Sequence, residues 1–210
     1  LTEKLGASVP QETLRIEQGN AHDLEAVSRA LQNPKQPGSL VDMVIFSIGG
    51  AFDFSKFTLD DANVCEKGAK VLLEALAKAR AGSGDASQEH TSPRIVVVSS
   101  AGISRLGRDM SVLAAPVNAM IKVPHADKVI LEDLMIGSTE AYTIIRPTLL
   151  HDGTSTKPVR VGIEDMVANK VEKRDIGLRI SREAVGKWMF DNLVEETDSK
   201  WLKKAVTLTQ

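Results

Sequence analysis

Three short apolar runs constrain this chain more than any other feature. Val41 to Ile48 (VDMVIFSI), Arg94 to Ser100 (RIVVVSS) and Tyr142 to Ile145 (YTII) carry few polar residues, and Gly49-Gly50 closes the first of them. A strand with one wet face alternates apolar with polar side chains. A run without that alternation reads as a strand covered on both faces, the mark of a parallel sheet. Helical patterns separate the runs. Asp23 stands as an N-cap before Leu24 to Leu31, where Leu24, Val27, Ala30 and Leu31 share a face, and Pro34, Pro37 and Gly38 stop that helix. A longer pattern spans about Asp60 to Arg80, and a third spans Ala126 to Ile136. Ser181 is an N-cap candidate for a last helix ending near Val194, with Glu183 in its first turn. Leu14 to Glu17 and Ala205 to Leu208 read as short strands, and Gly82 to Ser92 as a polar surface loop. Strands alternating with helices at crossover spacing predict an α/β fold with a doubly wound parallel sheet, in one domain covering residues 1–210.

Composition narrows the function. The chain has 26 Lys+Arg and 28 Asp+Glu, a formal charge of −2, and no long run of one sign, so neither nucleic acid nor a membrane surface is an expected partner. The lone Cys65 excludes an internal disulfide framework and a multi-thiolate metal site. No segment approaches the roughly 18 apolar residues of a membrane span, and no signal-peptide pattern opens the chain, so the default expectation is cytoplasmic. The 4 His, at positions 22, 90, 125 and 151, lack zinc spacing. Asp23 is a helix cap rather than half of a metal pair with His22, and His151-Asp152-Gly153 reads as a turn. Cys65 reads as an inert core thiol, and Tyr142 as packing.

In an open parallel sheet, ligands sit beyond the carboxyl ends of the strands. Small and hydroxyl residues follow each strand here: Gly19-Asn20-Ala21, Ser47-Ile48-Gly49-Gly50, Ser99-Ser100-Ala101-Gly102 and Arg146-Pro147-Thr148. Glycines let a flat ligand approach the backbone, and hydroxyls offer hydrogen bonds.

The ordered set GNAHDLEAV, VIFSIGG, VVVSSAGIS, PHADKVILEDL, YTIIRPTLLHDG and ISREAVGKWM resembles the atypical short-chain dehydrogenase/reductase group, including its NmrA-like and flavin-reductase-like members, from about Arg15 to Leu193. The resemblance implies a Rossmann sheet binding NADP, with NAD possible. It places Asn20 and Ala21 near the adenine, Ser47, Ile48, Gly49 and Gly50 along the ribose and pyrophosphate, and Ser99 and Ser100 beside the nicotinamide. It further implies that Lys128 bonds the nicotinamide ribose and that Pro147, Thr148, Leu149 and Leu150 pack over the ring. Candidate catalytic residues are Lys128, Ser100 and His125.

Two departures stand out. The family's opening strand and Gly-rich turn, which set the pyrophosphate on a helix N-terminus, do not occur in this sequence. Together with Leu1 in place of Met, this points to a truncated product or shortened gene model, the other readings being a second chain filling the gap or a rebuilt sheet. The VDMVIFSI strand is then expected to lack its inner neighbour. Four residues before Lys128, where short-chain dehydrogenases carry a proton-donating Tyr, stands Pro124. His125 beside it reads either as an acid or as a partly buried structural histidine. Met110 to Val123 reads either as an apolar border of the substrate pocket or as a core-facing helix. The expected activity is hydride transfer from NAD(P)H to a small carbonyl, quinone or flavin-like acceptor, by a monomer or homodimer. The alternatives are a non-catalytic dinucleotide sensor of NmrA type and a degenerate scaffold without cofactor.

Overall fold

The computed structural model describes residues 13–50, 52–53, 58–82, 92–115, 117, 121–196 and 199–210. A six-stranded sheet organises them. Its strands are β1 (Met43–Phe46), β4 (Arg94–Val98), β5 (Tyr142–Pro147), β10 (Lys204–Thr209), β7 (Arg160–Asp165) and β8 (Lys170–Lys173), side by side in that order. The first four run parallel, and β7 and β8 extend the sheet antiparallel. Two small pairs stand apart from it: β2 (Phe52–Asp53) with β3 (Thr58–Leu59), and β6 (Leu149–His151) with β9 (Arg179–Ser181).

Helices cover both faces, as a doubly wound sheet requires. Against one face lie α1 (Leu24–Ala30), α2 (Val64–Gly82) and α3 (Lys122–Gly137), where Leu72, Leu76, Leu131 and Met135 meet Ile95, Val97 and Ile144. On the other face α4 (Arg182–Met189) and the π-helical turn Phe190–Glu195 bring Val185, Trp188, Met189 and Leu193 onto Val96, Ile145, Val206 and Leu208. Adjacent residues of one strand thus enter different cores, which explains why the run shows no alternation. Each fully buried Leu or Ile contributes about 1.5–3 kcal/mol relative to exposure. Gly68 on α2 allows the close approach of Phe46, whose ring carbon would lie 3.0 Å from an added Cβ.

Local signals set the helix ends. The Asp23 carboxylate accepts from the amides of Glu25 and Ala26, and the Ser181 hydroxyl from that of Ala184. The helix expected from Asp60 begins only at Val64, because Asp60 and Asp61 turn their carboxylates onto the amides of Asp61 and Asn63. The third helix begins earlier than expected, at Lys122, and takes Pro124 into its first turn, where the missing N–H costs nothing.

Three expectations are corrected. Val41–Ile48 is not a strand covered on both faces: only Met43–Phe46 pairs, at the sheet's edge, and Ile45 is 48% exposed. Its one partner among the described residues is β4. Leu14–Glu17 is not a strand either: the stretch 14–20 is irregular, mostly exposed, and pairs with no strand among the described residues. The strand at Ala205–Leu208 is longer than expected and sits inside the sheet, between β5 and β7. The Gly82–Ser92 loop lies largely outside the described residues, which omit 83–91.

Candidate functional site at the strand tips

Parallel pairing brings the carboxyl ends of β1, β4, β5 and β10 to one side of the sheet. The ladder continues beyond the strands: the amide of Ser99 donates to Ile145 O (2.7 Å), that of Ala101 to Pro147 O (3.0 Å) and that of Thr148 to Leu208 O (3.0 Å). The segments that follow the strands therefore form one row.

Lys128 spans two members of that row. Its ammonium donates to Ile48 O at 2.9 Å and to Val98 O at 2.8 Å, joining the ends of β1 and β4. These carbonyls take two of its three donor positions. One turn earlier on α3, His125 places Nε2 3.2 Å from Ser100 Oγ, whose hydroxyl also donates to Ala101 O at 3.0 Å. In the tautomer that carries its hydrogen on Nε2, His125 donates to Oγ while the hydroxyl serves the Ala101 carbonyl. Burial pulls the His125 pKa below its ordinary value, so the ring is neutral at pH 7. Ser99 is buried beside this group, and its hydroxyl has no partner. A Cβ added at Gly49 would meet nothing within 4 Å, so packing does not demand a glycine there. An unpartnered buried hydroxyl and an open glycine at adjacent tips are the features that a ligand resting on the row would use.

The other expected residues divide. Ala21, Ser47 and Ile48 share a cavity of about 360 Å³ with Met43–Phe46 of β1 and with Val27, Leu31 and Leu72. Asn20 is exposed, with Oδ1 accepting from the amide of His22. Gly50 follows Gly49, partly buried. Pro147 and Thr148 are buried, and the Thr148 hydroxyl is turned toward Leu208 O and Thr209 Oγ1. Leu149 is half-buried against Ala101, Met110 and Ala114, whereas Leu150 is exposed. Of the Met110–Val123 stretch, Met110 and Ala114 are buried and Val112, Leu113, Val117 and Val123 exposed. Tyr142 is buried, as packing requires, and Cys65 is buried with its thiol pushed up to about 11, chiefly by desolvation.

Several charged groups at or beneath the tips were not evident from sequence. Asp127 is buried and accepts from the amides of Cys65 (2.8 Å) and Glu66 (2.9 Å), capping α2 from a neighbouring helix. Its signal is an acid sharing a buried stripe with Leu131 and Met135 at intervals of four. Arg146 is buried between two carboxylates, with Nε and Nη2 on Glu132 (3.0 and 2.6 Å) and Nη1 on Glu164 (2.5 Å), while the Ser104 hydroxyl donates to Glu164. Burial opposes the Arg146 charge, but the hydrogen bonds and charges of both glutamates outweigh it and hold the group firmly protonated. Asp109 ties the loop after β4 by accepting from the Gly102 amide at 2.9 Å; its other oxygen has no partner, and burial raises its pKa. Among the described residues no group of three or more His, Cys, Asp or Glu is arranged to hold a metal. No helix among them is long and apolar enough to cross a membrane.

Comparison with known proteins agrees with this architecture. Residues 2–196 match the NAD(P)H-binding protein family. The reductase pytE of Aspergillus terreus is 33% identical over 218 residues, covering 94% of this chain and 78% of that protein. The oxidase pynE of Aspergillus niger is 29% identical over 241 residues, covering 96% and 83%. A wide-type short-chain dehydrogenase/reductase from Veillonella parvula, solved with NADP, superposes with a TM-score of 0.63 at 15% identity, covering 91% of this chain and 70% of that one.

Proposed function

Since this chain belongs to the NAD(P)H-binding family of Rossmann-type proteins, we propose that it is an NADP-dependent reductase of a small carbonyl, quinone or flavin-like acceptor. The observation that carries the reading is the gathering of Lys128, Ser100 and His125 on one row of strand tips. The reductase named in Aspergillus terreus and the NADP bound by the Veillonella protein support the choice of reaction and of cofactor.

The bound dinucleotide supplies the hydride. In this reading Asn20 and Ala21 lie toward its adenine, and Ser47, Ile48, Gly49 and Gly50 along its ribose and phosphates. The Lys128 ammonium would hold the nicotinamide ribose, the Ser99 hydroxyl would bond the nicotinamide, and Leu149 and Leu150 would pack on it. Pro147 and Thr148 act by holding that segment against β10. At the acceptor, the Ser100 hydroxyl turns from Ala101 O to the substrate oxygen and donates its proton as negative charge develops there. His125 passes its Nε2 proton to Oγ while Nδ1 takes one up from solvent, so the ring changes tautomer and stays neutral throughout. The net change at the acceptor is the gain of one hydride and one proton. A neutral imidazole suits this relay, because it keeps the donated hydrogen on Nε2 without placing a positive charge in a buried site.

A non-catalytic dinucleotide sensor is the second reading, favoured by Pro124 at the position where a proton-donating Tyr would stand. NADPH oxidation followed by absorbance across a carbonyl, quinone and flavin panel separates the two. Turnover that falls roughly 100-fold in Ser100→Ala and His125→Asn supports the reductase. NADPH binding without turnover on the panel supports the sensor, and no binding at all defeats both.

A further inference from the structure

Two neighbouring side chains of α3 act on the same strand tip by different routes. Lys128 reaches Ile48 O directly, at 2.9 Å. Asp127 reaches it through α2: both carboxylate oxygens are bonded to the amides of Cys65 and Glu66, and the Cys65 thiol donates to Ile48 O at 3.2 Å. The Ile48 carbonyl is thus held from two sides by groups whose relative placement depends on one carboxylate. Asp127 is 2% exposed, and its charge rests on the first amides of a 19-residue helix, where the helix dipole favours an anion. That helix end is therefore filled by the protein's own acid.

We infer that Asp127 is the positioning residue of the dinucleotide site: by locking α3 to the start of α2 it sets the Lys128 ammonium and the Ser47–Gly50 segment at the spacing that a nicotinamide ribose requires. The inference rests on the cofactor reading above but concerns a residue that touches no ligand. Two N–H groups facing one carboxylate demand two acceptor oxygens, and the Asn amide supplies one. Asp127→Asn therefore turns an NH2 toward an N–H, and α2 must move away from α3. Ile48 O then loses its fixed pair of donors, and the segment that follows it shifts.

The test measures NADPH affinity by fluorescence titration, KM and kcat with a turned-over acceptor, and the amide NMR signals of Gly49 and Gly50 without cofactor. In Asp127→Asn the Kd and KM for NADPH rise about 10-fold while kcat at saturation stays within about twofold, because Ser100 and His125 are untouched. The two glycine signals move in the cofactor-free protein. A merely structural role does the opposite, lowering kcat with the folded fraction at unchanged KM, and that result overturns the inference. Cys65→Ala removes only the thiol donor and serves if the Asn variant does not fold; its NADPH KM rises two- to threefold, and an unchanged KM together with unmoved glycine signals overturns the inference. Failure of the wild-type protein to bind NADPH is a different result, and it overturns the cofactor reading on which this one rests.

Discussion

Replacing Arg146 by Met keeps most of the side-chain stem and removes the one cation between Glu132 and Glu164. Three hydrogen bonds to carboxylate oxygens are lost, at 3.0, 2.6 and 2.5 Å. All three residues are almost fully buried, so water cannot replace the bonds without opening the space between α3, β5 and β7. A hydrogen bond to a charged group is worth about 1.5–3 kcal/mol net, but the three are not additive. The better guide is the cost of breaking a buried ion pair from one side, about 3–5 kcal/mol. In a chain of this size each kcal/mol moves the melting temperature by about 2–4 °C, so Arg146→Met melts roughly 6–20 °C lower. Urea unfolding at pH 7 measures the free energy directly. Arg146→Lys falls between the two proteins because a point charge serves one carboxylate well. A loss below about 1 kcal/mol would refute the reasoning, since it would mean that the charges are solvated in the folded protein.

Other outcomes follow from single groups. Burial raises the Asp109 carboxyl above its ordinary 3.8, so the folded protein holds that proton more tightly than the unfolded chain and loses stability as pH rises from about 3.8 through the raised value; Asp109→Asn lacks this loss, and its stability relative to wild type climbs across that window and is flat above it, as urea titrations at several pH values will show. The Cys65 thiol, buried and pushed up to about 11, reacts with a chromogenic disulfide in the native protein orders of magnitude more slowly than in urea. Gly177→Ala places a Cβ 1.8 Å from Thr209 Oγ1 and costs about 1–3 kcal/mol by urea unfolding, with Gly49→Ala, which meets nothing, as the neutral comparison.

The parts of the fold readable from sequence are those that short-range chemistry decides. Asp23 and Ser181 cap the helices that follow them, and Ile95, Val96 and Val97 form a strand wherever the sheet places them. The β7–β8 hairpin was not readable. Its strand Arg160–Asp165 carries a glycine and a buried Glu164 whose burial makes sense only with Arg146 in place, and the partner is a tertiary fact. The edge position of β1 likewise depends on what lies beside it: the same four residues with a second neighbour would be the buried strand that their apolarity suggests. At the candidate site the hydroxyls, the lysine and His125 stood out because tips of parallel strands are where ligands bind. Asp127 did not, since an acid in the buried stripe of a helix shows its purpose only once another helix's amides arrive.

The place of β10 has a consequence for how the protein is made. Residues 204–209 insert between β5 and β7, both of which are synthesised before them. Until they leave the ribosome, β7 and β8 have no edge to join, and Ile145 and Ile163 lack the strand that bridges them. The sheet is therefore closed by insertion rather than by growth from one side, a late and non-local step that slows folding. Thr148 meets Thr209 only after that insertion, so the surface that would receive a dinucleotide is finished only once the five other strands of the sheet have been made.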